Sequence, residues 1–272
     1  MSSQPTVVLV PGSFCFGDIY NVVLDPLRAK GYDIQVLDPP CYPAGYLRGS
    51  ENGAAPPNMY ADARYIHEHV EKLADEGKEV VLVAHSYGGV PSTESLKGIT
   101  KKEREQQGKK GGVVRIAYLS ALAPRLGETG FQTLGEALGE PPKVGEDGWM
   151  YHTDMAAIGA RVCSDAPLEA GIKEAEKMGK HFGGCFVDPL THAGYKDVPV
   201  SWFFCEKDLV VVPQVQQTAI ETIEGSWVGT EREGKKVDVT RVECDHFPLV
   251  LEDKREKVSQ WIEGLVKKGG DE

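Results

Sequence analysis

The chain has 272 residues, 41% of them hydrophobic and 26% charged. That composition fits one large globular domain, or a core with a modest insertion, and excludes disorder throughout. Its 30 basic and 41 acidic side chains leave a net charge of −11, which argues against nucleic-acid or anionic-membrane partners, since both need a basic surface.

The N-terminal "MSSQPTVVLVPG" has no basic stretch leading into a long apolar one. No segment approaches the ~20 apolar residues of a membrane-spanning helix. Cys15, Cys41, Cys163, Cys185, Cys205 and Cys244 are scattered without a CxxC and read as reduced thiols. A cytoplasmic protein is expected, with a small molecule as its partner and a homodimer as an open possibility.

In chain order, Thr6 to Val10 ("TVVLV") is a short β-rich run closed by Pro11-Gly12. Tyr20, Val23, Leu24 and Leu27 then fall on one face of a helix that Gly31 closes. "YDIQVLDPP" reads as a second strand. Ala63, Ile66, Val70 and Leu73 mark another amphipathic helix, stopped near Gly77. Four more strands follow in "EVVLVA", "VVRIAYLSA" (113–121), "VPVSWFFCEKD" (198–208) and "VDVTRVECD" (237–245). Val258, Trp261, Ile262 and Leu265 line a final helix.

Strands that are apolar on both faces and alternate with helices form a parallel sheet covered on both sides. The expected class is therefore α/β, with a doubly wound, mostly parallel sheet. Residues 97–112 read as a charged, solvated loop. The stretch 125–197 holds short helical patterns, many glycines and no convincing strand. It reads as a helical cap inserted over the sheet edge, leaving 1–124 and 198–272 as the core.

"EVVLVAHSYGGVPS" (79–92) raises the functional question. A strand that turns sharply into a helix presents one side chain at the sheet edge, and small flanking residues make the turn possible. Ala84-His85-Ser86-Tyr87-Gly88 fits that G-x-S-x-G pattern with alanine in the first glycine position. The new helix directs the Tyr87 backbone N–H toward an oxyanion formed beside Ser86.

A serine hydroxyl needs a base. Asp208 and His246 follow in that order, each just past a later strand, as the serine–acid–histidine arrangement requires. Glu206 and Asp245 are alternative acids. The second oxyanion donor is expected after the first strand, in "LVPGSFCFGDIY", from the Ser13 N–H, with Phe14 and Tyr20 lining a pocket and Trp149 joining them from the cap. His85 is expected to pack, not react. His181 and Cys185 are four apart but lack a third ligand in sequence, so no metal or cofactor is expected.

At these residues the chain resembles the α/β-hydrolase superfamily. It is similar in particular to small fungal and bacterial hydrolases related to plant methylesterases and hydroxynitrile lyases. The resemblance rests on "VLVPGSF" (8–14), "VLVAHSYGG" (81–89), "VPVSWFFCEKD" (198–208) and "CDHFPLVL" (244–251). It implies Ser86 as nucleophile, His246 as base, Asp208 as the orienting acid, and the Ser13 and Tyr87 amides as the oxyanion hole. Pro11-Gly12 departs from the usual His-Gly, and Ala84 from the usual glycine.

The expected activity is hydrolysis of an ester, thioester or lactone of an apolar or aromatic metabolite, polyketide-like and from secondary metabolism. A cofactor-independent lyase or a low-turnover ligand receptor on the same scaffold are the alternatives.

Overall fold

The structure, a computed structural model, describes residues 4–42, 57–135 and 142–271. The first three residues, parts of 1–124 and part of the insertion lie outside the described residues. Strands β1 (Thr6–Val10), β2 (Ile34–Val36), β3 (Glu79–His85) and β4 (Gly112–Leu119) precede the insertion. Within it are β5 (Lys143–Val144), β6 (Trp149–Tyr151) and β7 (His181–Phe182), and after it β8 (Val200–Cys205) and β9 (Asp238–Val242). The main sheet has the order β2-β1-β3-β4-β8-β9, every pairing parallel. The doubly wound α/β sheet is as the apolar runs predict.

Both faces of that sheet are buried because successive side chains of a strand point to opposite sides. Val8 and Val10 join one cluster while Val7 and Leu9 join the other. Helix α1 (Asn21–Ala29) covers one face with α9 (Glu252–Lys268), through Val23, Leu24 and Leu27 against Val258, Trp261 and Ile262. The other face is covered by α2 (Met59–Asp75), through Ile66, Val70 and Leu73, and by α8 (Pro213–Ser226), through Ala219, Ile220 and Ile223. Each fully buried aliphatic side chain contributes about 1.5–3 kcal/mol.

Two expectations need correction. The charged stretch 97–112 is not simply a loop: it contains α4 (Lys101–Gln106), opened by a Thr100–Glu103 capping box. Arg104, only 2% exposed, donates to Asp75 at 2.7 Å, so its charge is paired and not solvated. The insertion also contains strand structure, since β5, β6 and β7 form an antiparallel sheet. With two or three residues per strand, no alternation could show in the sequence. Its helices are short as well: α5 (Gly130–Leu134), α6 (Met155–Val162) and α7 (Leu168–Ala175). Among the described residues, no helix is long and apolar enough to cross a membrane.

Candidate active site

The sheet order places a topological switch between β1 and β3, because the chain runs from β1 out to β2 and then back past β1. In open parallel sheets the crevice at the carboxyl ends of such strands is where ligands sit. Val10 pairs with Ala84, so the loop after β1 lies beside the turn after β3. His85 pairs with Leu119 and Cys205 with Val242, which brings the ends of β3, β4, β8 and β9 to the same edge.

At the end of β3 the backbone turns abruptly. His85 is extended, Ser86 is left-handed at φ 52°, and a short 3-10 turn over Ser86–Gly88 leads into α3 (Gly89–Glu94). A non-glycine residue at positive φ is strained, and such strain gathers at functional sites. The glycines after it are required by close approach: a Cβ on Gly88 would strike the Pro11 carbonyl, and one on Gly89 the Leu122 carbonyl. Ala84 lies one step earlier, inside the strand, where its methyl packs in the core.

The turn presents Ser86 to His246. The Ser86 hydroxyl donates to His246 Nε2 at 3.0 Å, and His246 Nδ1–H donates to Asp208 Oδ2 at 2.7 Å. Asp208 is itself held. Its Oδ1 accepts from the Val210 and Val211 N–H groups at 2.6 and 2.9 Å, and the Ser120 hydroxyl donates to Oδ2. The alternative acids are engaged elsewhere or solvated: Asp245 accepts from the Asp165 and Phe247 amides, and Glu206 is exposed.

A second chain of hydrogen bonds runs behind the serine. The Gly12 N–H donates to the Tyr20 hydroxyl at 2.9 Å, which leaves that hydroxyl to donate to His85 Nδ1 at 2.6 Å. His85 then carries its proton on Nε2 and donates to the His246 carbonyl at 3.0 Å. Burial keeps both groups neutral, pushing the Tyr20 phenol well above its usual pKa and the His85 imidazole well below. His85 thus packs and links the first loop to the backbone of His246. A Cβ on Gly12 would lie 2.9 Å from His85 Nδ1 and 3.0 Å from Ser86 Cβ, so this loop fits only with glycine there.

Tyr20, expected in the pocket wall, is therefore a correction: it is wholly buried behind the loop, because its hydroxyl serves Gly12 and His85. Ser13 and Phe14 do face the cavity, Phe14 with a left-handed φ of 65°. Tyr87 follows Ser86 in the turn, where the first N–H groups of a helix have no intrahelical partner. Its ring points away from the cavity, with the hydroxyl donating to Asp62 Oδ2 at 2.9 Å.

In front of Ser86 and His246 lies a cavity of about 660 Å³, within the range of small-molecule sites. Phe14 and Leu122 line it from the core, and Phe131, Met150 and Phe186 from the insertion. Trp149 is a second correction. Its ring is buried against Phe182 at 5.6 Å, while Met150, Tyr151 and His152 reach the cavity instead. His181 Nε2 and Cys185 Sγ meet each other at 3.1 Å, and burial pulls the His181 pKa down to about 3.

Three residues here escaped the sequence reading. Asp62 sits on the apolar face of α2 between Met59 and Ile66, and its helical spacing was the available signal. It accepts from the Cys41 N–H at 2.8 Å as well as from Tyr87, and burial raises its pKa to about 7. Ser120 follows β4 as Asp208 follows β8, so the rule that found one also points to the other. His152 carried no signal beyond its place in the insertion.

Comparison with known proteins agrees with this architecture. A model of the alpha/beta hydrolase family matches residues 7–261. A probable hydrolase, R7, from a Phoma species is 35% identical over 250 residues, covering 90% of this chain and 92% of its own. The alpha/beta hydrolase nvfD of Aspergillus novofumigatus is 25% identical over 250 residues, covering 91% of each chain. Among solved structures, a pyrethroid hydrolase from Sphingobium faniae superposes with a TM-score of 0.69 at 17% identity, over 99% of this chain and 100% of that one. That last likeness is one of fold.

Proposed function

The chain belongs to the α/β-hydrolase family and is a hydrolase, and on that premise we propose that it cleaves an ester, thioester or lactone of a small apolar or aromatic metabolite through an acyl-enzyme on Ser86. The observation that carries this reading is the hydrogen-bonded series Ser86–His246–Asp208 opening onto an aromatic-lined cavity.

In the first step Ser86 Oγ attacks the substrate carbonyl while His246 Nε2 takes the hydroxyl proton. Asp208 holds the ring in the tautomer with Nε2 free to accept, and stabilises the imidazolium that forms. The Ser13 and Tyr87 N–H groups receive the charge on the carbonyl oxygen. Collapse of the tetrahedral intermediate breaks the carbonyl's bond to the alcohol oxygen or thiol sulfur, which takes the proton from His246 and leaves, or stays on the acyl chain where the substrate is a lactone. Water then attacks the acyl-enzyme, with His246 again as base, and the acid departs.

Fluorophosphonate labelling of wild type and Ser86→Ala, with turnover of a panel of aryl esters, tests this. The expectation is stoichiometric labelling that is absent in the variant, and turnover reduced about 10⁴- to 10⁶-fold. A wild-type protein that fails to label would remove Ser86 from the mechanism. Labelling without ester turnover would leave an activated serine but refute ester hydrolysis.

A further inference from the structure

The cavity wall opposite the core contains one imidazole that the proposed acyl transfer does not use. His152 lies between the end of β6 and Asp154, whose side chain caps α6 by accepting from the Ala157 N–H at 2.9 Å. Its backbone is thus set by an element on each side. Its ring rests on Phe14, with centroids 4.5 Å apart and planes tilted by 55°. Phe14 directly follows Ser13, whose amide is the proposed oxyanion donor, and its carbonyl is tied to the insertion by the Gly179 N–H at 2.8 Å. His152 is therefore fixed on the wall beside the reaction centre.

Among the described residues neither ring nitrogen of His152 has a hydrogen-bond partner, although His67, His69, His85, His181 and His246 each bond through theirs. Part of the cavity wall is apolar, formed by Phe14, Phe131, Met150 and Phe186, and Tyr151, Thr153, Asp154 and Arg161 line it as well. A polar group in such a wall without a protein partner is poised to meet one on the ligand.

Resting on the hydrolase reading above, we propose that His152 is a specificity-determining residue that hydrogen-bonds a neutral hydroxyl group on an aryl ester substrate. Burial, reinforced by the nearby Arg161 cation, pulls the His152 pKa down to about 4, so the ring is uncharged at neutral pH. A neutral imidazole offers one N–H donor and one bare nitrogen acceptor. A hydroxyl satisfies whichever of these faces the cavity. A carbonyl suits only the donor, and a carboxylate finds no charge on the ring, the cationic side chains of this lining being Lys143 and Arg161. Phe14 and Phe131 supply flat apolar contact for the aryl body.

The test is a matched series of aryl acetates and methyl arylcarboxylates, unsubstituted or carrying a ring hydroxyl or carboxylate at each position. Within each protein the kcat/KM ratio of substituted to parent ester is compared, so a variant that is merely less well folded does not move it. For wild type, at least one hydroxylated isomer should exceed its parent by about tenfold or more, mainly through KM, since a site that pairs a hydroxyl discriminates against the analogue lacking it. His152→Phe keeps a ring against Phe14 but no nitrogen, and should bring that ratio to near one. His152→Gln, which retains a donor and an acceptor, should restore part of it.

The proposal is overturned if wild type prefers no hydroxylated isomer, or if the preference survives in His152→Phe. Fluorophosphonate labelling of wild type separates the failures. No labelling defeats the acyl-enzyme reading and this proposal together. Labelling with an unmoved ratio defeats the role of His152 alone.

Discussion

Along the edge where the parallel strands end, Ser86, Ser120 and Asp208 each sit within a few residues of a strand terminus, and His246 follows β9 in the same way. The insertion between β4 and β8 reaches the same cavity with strands of two or three residues and helices of eight or fewer. The sheet edge is over-determined: register, left-handed turns and paired amides hold each group. The insertion is held by short hydrogen-bonded elements and by ring contacts, such as Phe131 on Phe186 at 5.0 Å. Chemistry belongs on the first kind of structure, because catalytic geometry tolerates little error. Selectivity suits the second, where side chains can change without disturbing the reacting groups.

The sharpest way to break this division is to disturb the edge without touching any proposed catalytic group. Tyr20→Phe does so. It leaves the Gly12 N–H and His85 Nδ1 buried without partners, at a cost of about 1–3 kcal/mol each in stability. The loop bearing the Ser13 amide then loses its anchor, and kcat should fall about 10- to 100-fold, with KM much less changed. Steady-state kinetics beside a thermal melt check this. Unchanged kcat in a destabilised protein would mean that the loop is held by its other contacts, among them the Tyr42 hydroxyl on the Pro11 carbonyl at 2.7 Å.

The difference between the regions also governs what the sequence disclosed. The six main strands and their parallel arrangement were legible, the inner ones because buried parallel strands are apolar runs, and Ser86, Asp208 and His246 lie just beyond three of the six. Tyr20 and Trp149 were misplaced for a common reason. Nearness to a motif in sequence does not say which way a ring points when the local element is a 3-10 turn or a three-residue strand. Three residues in β6 offer no periodicity, so nothing separated Trp149, turned toward Phe182, from Met150, turned toward the cavity.

Asp62 sharpens the comparison from beneath the elbow. Its carboxyl is buried, with the Cys41 amide and thiol and the Tyr87 hydroxyl as partners among the described residues, and its pKa is raised to about 7. For a carboxyl whose folded-state pKa lies above its unfolded value of about 3.9, stability is fully present below that value. It is lost as pH rises toward the folded pKa, because the unfolded chain then gives up the proton more readily. Wild type should therefore weaken between about pH 4 and pH 7 by a few kcal/mol from this group alone. Asp62→Asn keeps an acceptor for Cys41 and a polar partner for Tyr87 without the charge. Urea denaturation should find the variant close to wild type near pH 4 and more stable at pH 8. A constant difference across that range would show that Asp62 does not titrate there.

The smallest effect belongs to the insertion. Trp149 is buried, its indole N–H has no hydrogen-bond partner among the described residues, and its ring packs on Phe182 away from the cavity. Trp149→Phe therefore removes packing but no polar contact, and a modest stability loss of about 1–2 kcal/mol is expected. Because Met150 and His152, not Trp149, line the cavity, kcat/KM for aryl esters should stay within about threefold of wild type, the small change expected away from the reacting groups. A tenfold rise in KM would put the indole in contact with substrate. It would also mean that the two layers of the insertion, one facing the ligand and one behind it, act together in selecting the substrate.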